Sequence, residues 1–202
     1  MVTTADLRSA SRFALAALRP YTTEDWTAPA GDLDWTCRQT LDHMAGALVF
    51  YSGQVATRST TLRRRLRHGD PDATIAELLE SVETATALLC HLIDGMGHND
   101  RAFPPAGMAD ASGFAAMGAD ELLVHTHDIS VGLGRTFQYQ TSVTDRIVQR
   151  LFPWAPPGAD PWSTLLWCNG RAELADQQRL GSDWWWWCEP LDTWDGRIKR
   201  RT

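Results

Sequence analysis

The sequence has almost no lysine, no excess of positive charge and no long apolar run. Lys199 is its single lysine, and the 202 residues carry a net charge of -6 at neutral pH. A chain with this charge has no electrostatic footprint for nucleic acid. No apolar run approaches the ~20 residues that a membrane helix requires, and residues 1–6 lack the features of a signal peptide. We therefore expect a cytoplasmic protein that binds neither nucleic acid nor a membrane.

The sequence also lacks paired cysteines. Its four cysteines are widely spaced and form no C-x-x-C motif: Cys37, Cys90, Cys168 and Cys188. In a cytoplasmic chain such residues are most simply reduced and buried. None lies in an obviously electropositive setting beside a paired base, so the pattern does not favour a cysteine nucleophile.

Apolar residues recur at three- and four-residue spacing in four long stretches of the chain. These predicted helices cover residues 5–18, 36–58, 74–95 and 112–134. Thr36 and Thr74 each begin a capping box, and Ser112 can cap the fourth helix. A basic block, residues 63–67, lies between two of the helices and is interpreted as a solvated loop or helix end. The pattern predicts a mainly α protein in which residues 1–140 form a four-helix bundle.

Residues 141–202 differ in character and are predicted to form a small extension packed on the bundle. Short helices are expected at residues 142–152 and 162–169, and residues 171–174 could pair with 183–189 as a β-hairpin. Four consecutive tryptophans lie in the second of these strands. They indicate either packing onto the bundle, which we favour, or an exposed aromatic surface that binds a ligand.

The fourth predicted helix carries a pair of potential metal ligands. Glu121 and His125 are four residues apart, so their side chains project from one face of the helix. A carboxylate oxygen and an imidazole nitrogen suit a cation such as zinc, but two ligands do not close a site. His43, in the second apolar helix, is the best third donor. The spacing also arises by chance, and His43 could be an ordinary core histidine.

Other residues near this pair are candidates for supporting roles. Asp128 follows His125 by three residues and could accept the second imidazole N–H, or could be a solvated acid at the helix end. Trp35, Arg38 and Tyr51 lie near the predicted mouth of the site and are candidate substrate contacts.

Two segments of the chain resemble a known family. The sequence Trp35-Thr36-Cys37-Arg38 followed by His43, and Glu121 followed by His125, resemble the motifs of the DinB-like superfamily. The similarity is to the N-terminal domain of mycothiol-dependent maleylpyruvate isomerases in particular. Residues 152–156 and the Gly170-Arg171 pair also resemble shorter members of that family.

The resemblance implies a four-helix bundle that holds a divalent metal through His43, Glu121 and His125. The metal would be zinc, with nickel or manganese as alternatives, and the cosubstrate mycothiol or a similar low-molecular-weight thiol. The isomerases have a fuller second domain than residues 141–202 provide, so the resemblance does not identify the substrate.

We therefore expect a metal-dependent thiol S-transferase, or a thiol-dependent isomerase, acting on a small electrophilic metabolite. Two alternatives stay open. One is a metal-dependent hydrolase on the same fold, and the other is a non-catalytic bundle that binds a small molecule or partner through its tryptophan-rich end. The sequence is compatible with a monomer or a homodimer.

Overall fold

The computed structural model describes residues 1–139 and 142–200 of the chain. Within these residues the backbone forms six α-helices and two short 3-10 helices. The α-helices are α1 (Thr4–Leu18), α2 (Cys37–Thr57), α3 (Ile75–Asp94), α4 (Ala111–Gly132), α5 (Ser142–Leu151) and α6 (Pro161–Cys168). The 3-10 helices are Arg19–Tyr21 and Leu191–Thr193. In the described part of the chain, every helix is too short or too polar to span a membrane.

The helix starts follow local capping chemistry. Thr36 and Thr74 form the predicted capping boxes at the starts of α2 and α3, which confirms both. The predicted cap of α4 is wrong, because Asp110 caps this helix by accepting the Gly113 N–H at 2.7 Å. Ser112 lies inside the helix, where its hydroxyl accepts the backbone N–H of Val2 at 3.0 Å. An aspartate two residues earlier therefore satisfies the free N–H groups first.

Helices α1 to α4 pack as the predicted four-helix bundle, which the structure confirms. Helix α4 is buried along nearly its whole length, because α1 and α2 pack against it on the bundle side and α5 packs against it outside. A Cβ at Gly118 would lie 3.1 to 3.2 Å from side-chain carbons of Leu7, Leu48 and Leu89. The glycine thus lets α1, α2 and α3 approach the middle of α4 closely.

The predicted β-hairpin is not present. The described residues contain no strand, and the tryptophan segment, residues 184–187, makes its backbone bonds elsewhere. The Trp185 N–H donates to the Lys199 carbonyl at 3.0 Å, and the Trp187 N–H donates to the Leu151 carbonyl at 2.8 Å. These partners lie at the chain end and at the end of α5, so the segment runs between them instead of pairing with residues 171–174.

A buried arginine fixes the tryptophan segment to the bundle. Arg150 in α5 is 1% exposed, and its guanidinium forms an ion pair with Asp110 at 2.7 Å. The same group donates to the carbonyls of Trp187 and Cys188 at 2.9 and 2.8 Å. One side chain therefore joins α5, the start of α4 and the C-terminal segment, and satisfies its own buried charge in doing so.

Candidate metal centre

Three potential metal ligands meet where α2 faces α4. Glu121 and His125 lie one turn apart on α4, and His43 reaches them from α2. The Glu121 Oε2 atom lies 3.2 Å from His125 Nε2 and 3.4 Å from His43 Nε2. The three donor atoms all lie within 4.8 Å of one another. The structure thus brings together the three residues that the sequence analysis selected.

The donor set fits a divalent cation. Donor atoms that share one zinc ion in a tetrahedral arrangement lie about 3.4 Å apart, because each is 2.0 to 2.2 Å from the metal. The separations from Glu121 Oε2 to the two imidazole nitrogens match this spacing. Two histidines and one carboxylate with an open side are typical of catalytic zinc sites.

A chain of contacts behind His125 fixes the orientation of its ring. The Nδ1–H group donates to Asp128 Oδ2 at 3.0 Å, and Arg171 forms two bonds of 2.9 and 3.2 Å with the same carboxylate. Burial alone would lower the pKa of His125, but Asp128 and Glu121 raise it to about 9. Asp128 is buried, so it is the ring partner considered above and not a solvated helix-end acid. The Nε2 atom is thereby directed at Glu121.

Tyr51 holds the other oxygen of Glu121. Its hydroxyl donates to Glu121 Oε1 at 2.8 Å, which leaves Oε2 facing the two histidines. Burial works to raise the pKa of Glu121, but hydrogen bonds from His125 and His43 hold it well below its usual range. The carboxylate is therefore ionised and oriented, as a metal ligand must be. Tyr51 also lines the cavity described next, so substrate contact remains a prediction.

A cavity of about 490 Å³ opens over these three residues. Its wall includes apolar and aromatic side chains from both parts of the chain: Leu33, Trp35, Phe50, Val124, Trp184, Trp185 and Trp186. The Trp35 ring lies 4.7 Å from that of His43, and Trp35 is 42% exposed. Such a setting suits a small ligand with apolar surface.

Arg38 is not among the described residues that line the cavity. Its guanidinium donates to the carbonyls of Asp70 and Pro71, at 3.0 and 2.9 Å. The five residues that separate it from His43 correspond to about 140° around a helix. Arg38 therefore braces the loop before α3, and the structure gives no support for the expected substrate contact.

Asp120 is a buried cavity residue that sequence reasoning missed. It accepts a hydrogen bond from Asn169 Nδ2 at 2.8 Å and another from Trp186 Nε1 at 3.0 Å. Burial raises the pKa of Asp120 to about 7, the two hydrogen bonds oppose this, and the charge of Glu121 adds to it. Its position beside Glu121 was the available signal, but its partners lie 49 and 66 residues away.

The comparisons with known proteins agree with the resemblance described above. The family model for the mycothiol maleylpyruvate isomerase N-terminal domain matches residues 7–130, which is more than half of the chain and includes all three candidate ligands. No curated protein and no solved structure gave a significant match. The chain therefore belongs to the mycothiol maleylpyruvate isomerase N-terminal domain family, within the DinB-like superfamily.

Proposed function

We propose that this protein is a divalent-metal-dependent enzyme that uses a low-molecular-weight thiol, mycothiol or a similar compound, to modify a small electrophile. The reaction would be either S-transfer or a thiol-dependent isomerisation. The observation that carries the proposal is the convergence of His43 Nε2, Glu121 Oε2 and His125 Nε2 at one end of a cavity. The family description supplies the thiol, since it names mycothiol.

His43, Glu121 and His125 would hold the metal, for which zinc is our first choice and nickel or manganese are alternatives. When bound, such a cation supplies Lewis acidity that favours the thiolate form of a thiol at the open side. The surrounding residues keep the donors in place. Tyr51 fixes the rotation of the Glu121 carboxylate, and Asp128 fixes the tautomer and orientation of His125.

The thiol would come from outside the chain. All four cysteines are buried, and none is among the described residues that line the cavity. Burial raises the pKa of the Cys37 and Cys90 thiols to about 11, so both are protonated at neutral pH. A protonated and inaccessible thiol is a poor nucleophile. Thiol chemistry at this site therefore needs a diffusible thiol.

We also propose that residues 1–140 form the metal-binding bundle and that residues 141–202 form an extension that completes its cavity. The boundary itself falls on residues 140 and 141, outside the described residues. Support comes from Asn169 and Trp186, which both donate to Asp120 on α4 and also line the cavity.

Elemental analysis of the wild-type protein and of two histidine variants tests the metal part of the proposal. We expect about one metal ion per wild-type chain and little in His43→Ala. The matched control is His127→Ala, because His127 lies on α4 near His125 but packs against Trp162, with 6.0 Å between the ring centres. Equal metal content in all three folded proteins would contradict the assignment.

A panel of electrophiles, incubated with mycothiol, with bacillithiol and without thiol, tests the reaction class. We expect product only when both thiol and metal are present. Product formed with water alone would instead support the hydrolase. Metal-loaded, folded protein that consumes no electrophile under any condition would support the non-catalytic binding protein.

A further inference from the structure

The negative charges around the cavity are already matched by partners within the protein. Each of the three carboxylates at or behind its wall contacts basic or hydrogen-bonding side chains: Glu121 with His43 and His125, Asp128 with Arg171, and Asp120 with Asn169 and Trp186. Buried carboxylates with such partners are stable as they stand and do not require a cationic ligand.

Two positive charges at the cavity lack this compensation. Arg63 and Arg65, in the exposed loop between α2 and α3, both line the cavity. Within residues 1–139 and 142–200, neither guanidinium forms an ion pair, and Arg63 donates only to the Ser59 hydroxyl at 3.1 Å. In contrast, Arg58 and Arg67 in the same region pair with carboxylates. The unmatched charge that faces the cavity is therefore positive.

The rest of the wall is aromatic and comes partly from outside the segment matched by the family. Trp184, Trp185 and Trp186 lie beyond residue 130, and all three line the cavity. The rings of Trp184 and Trp185 each lie 5.8 Å from that of Trp186, and Trp186 is fixed by its bond to Asp120. Fixed indole rings favour flat, polarisable groups, which can stack on them or meet them edge to face.

From this arrangement we infer that the substrate of the site is a flat aromatic or conjugated organic anion. Its ring system contacts the tryptophan wall, and its carboxylate or equivalent anionic group is bound by Arg63 and Arg65. The inference rests on the proposed function in that it names the substrate class of the same site. Binding of the anion does not itself require the metal, so the two proposals can be tested separately.

Isothermal titration calorimetry with three probes tests the chemical class. Naphthoate is flat and anionic, naphthamide is flat and neutral, and cyclohexanecarboxylate is anionic but not flat. We expect metal-free protein to bind naphthoate about tenfold more tightly than either of the others, because each removed feature costs one main interaction. Equal affinity for naphthoate and naphthamide, or no naphthoate binding by folded protein, would overturn the inference.

Matched variants test the residues. Arg65→Ala and Arg63→Ala should each weaken naphthoate binding about tenfold and leave naphthamide binding unchanged, since only the anion is recognised by charge. Arg64→Ala is the control, because Arg64 has the same charge and exposure but is not among the described cavity residues. If Arg64→Ala weakens binding as much as Arg65→Ala, the effect is one of net charge and the assigned arginines are wrong.

The aromatic wall has a control of the same kind. Trp185→Leu should weaken binding of both flat probes about tenfold, whereas Trp187→Leu should leave it unchanged. Trp187 is adjacent in the same segment, but its indole faces Lys199 at 5.1 Å and is not among the described cavity residues. Equal effects of the two substitutions would overturn the assignment of the wall.

Metal content, measured on the same samples, separates the two proposals. Selective naphthoate binding by protein that takes up no metal would support this inference and contradict the proposed function. Metal uptake and thiol-dependent turnover without preference for naphthoate would do the reverse.

Discussion

Trp186 donates its indole N–H to the carboxylate of Asp120 over 3.0 Å, and this bond joins the C-terminal segment to the metal-site helix. Asp120 immediately precedes Glu121, so the aromatic wall of the cavity is anchored within one residue of a candidate ligand. Asn169 binds the other oxygen of the same carboxylate at 2.8 Å. The extension is thereby held in a fixed position relative to the three candidate ligands.

Replacing Trp186 with phenylalanine should lower the free energy of unfolding by about 1–3 kcal/mol, because buried Asp120 loses one of its two side-chain donors. Urea denaturation of the purified variant measures the loss. Trp187→Phe is the control, since its indole makes a longer bond of 3.3 Å to the Pro190 carbonyl in a less buried setting. An equal loss in the two variants would show that the bond to Asp120 has no special weight.

Arg171→Gln should lower the affinity for zinc about 10- to 100-fold, because Asp128 loses the cation that holds it against His125. Competition with a chromogenic chelator measures this affinity in the folded protein. Arg179→Gln is the matched control, since Arg179 lies on the same segment but pairs with exposed Asp32. Unchanged zinc affinity in a destabilised Arg171→Gln protein would mean that this arginine is only structural.

The ion pair between Asp6 of α1 and Arg146 of α5 should make stability depend on acidic pH. Burial works to raise the pKa of Asp6, but hydrogen bonds from Arg146 and Thr3 outweigh it and the pKa is lowered. A carboxyl whose folded-state pKa is lowered contributes stability above its unfolded pKa of about 3.9. That contribution is lost as the pH falls through the folded pKa.

Arg146→Gln should therefore cost about 1 kcal/mol at neutral pH, and its difference from the wild type should shrink toward pH 3. Urea denaturation at a series of pH values measures both effects. The control is Arg8→Gln, because Arg8 and Asp94 are both about half exposed and their ion pair is longer, at 3.6 Å. A difference that stays constant with pH would contradict the assigned role of the pair.

A fragment of residues 1–139 should not fold as a stable unit. Helix α4 is buried on the side that faces α5, and the fragment would expose that surface to water. We expect it to bind the dye ANS and to melt with little cooperativity, in contrast to the full chain. Cooperative unfolding of the fragment at the same midpoint as the full chain would show that the bundle is independent of the extension.

Features that depend on neighbouring residues could be predicted well from the sequence. The four long helices follow from apolar spacing, and the capping boxes at Thr36 and Thr74 follow from pairs three residues apart. The shared face of Glu121 and His125 follows from helix geometry alone. The match of His43 to this pair rested on family resemblance, because no local rule connects α2 with α4.

The β-hairpin was wrong because strand pairing is decided by distant partners. The sequence of residues 171–174 and 183–189 allows extended backbone, but it does not show that Leu151 and Lys199 offer their carbonyls to the tryptophan segment. The misplaced Arg38 has a related cause, because its position depended on which face of α2 meets the cavity.

The sequence by itself determined the helices, their main caps and the local pair of candidate ligands, since these depend on contacts within one or two turns. Only the tertiary structure decided the rest of the site. It brought Tyr51 to Glu121, Arg171 to Asp128, and Trp186 to Asp120 across 43 to 70 residues of chain. Such pairs depend on how helices pack and where loops return, and no short-range pattern in the sequence records that.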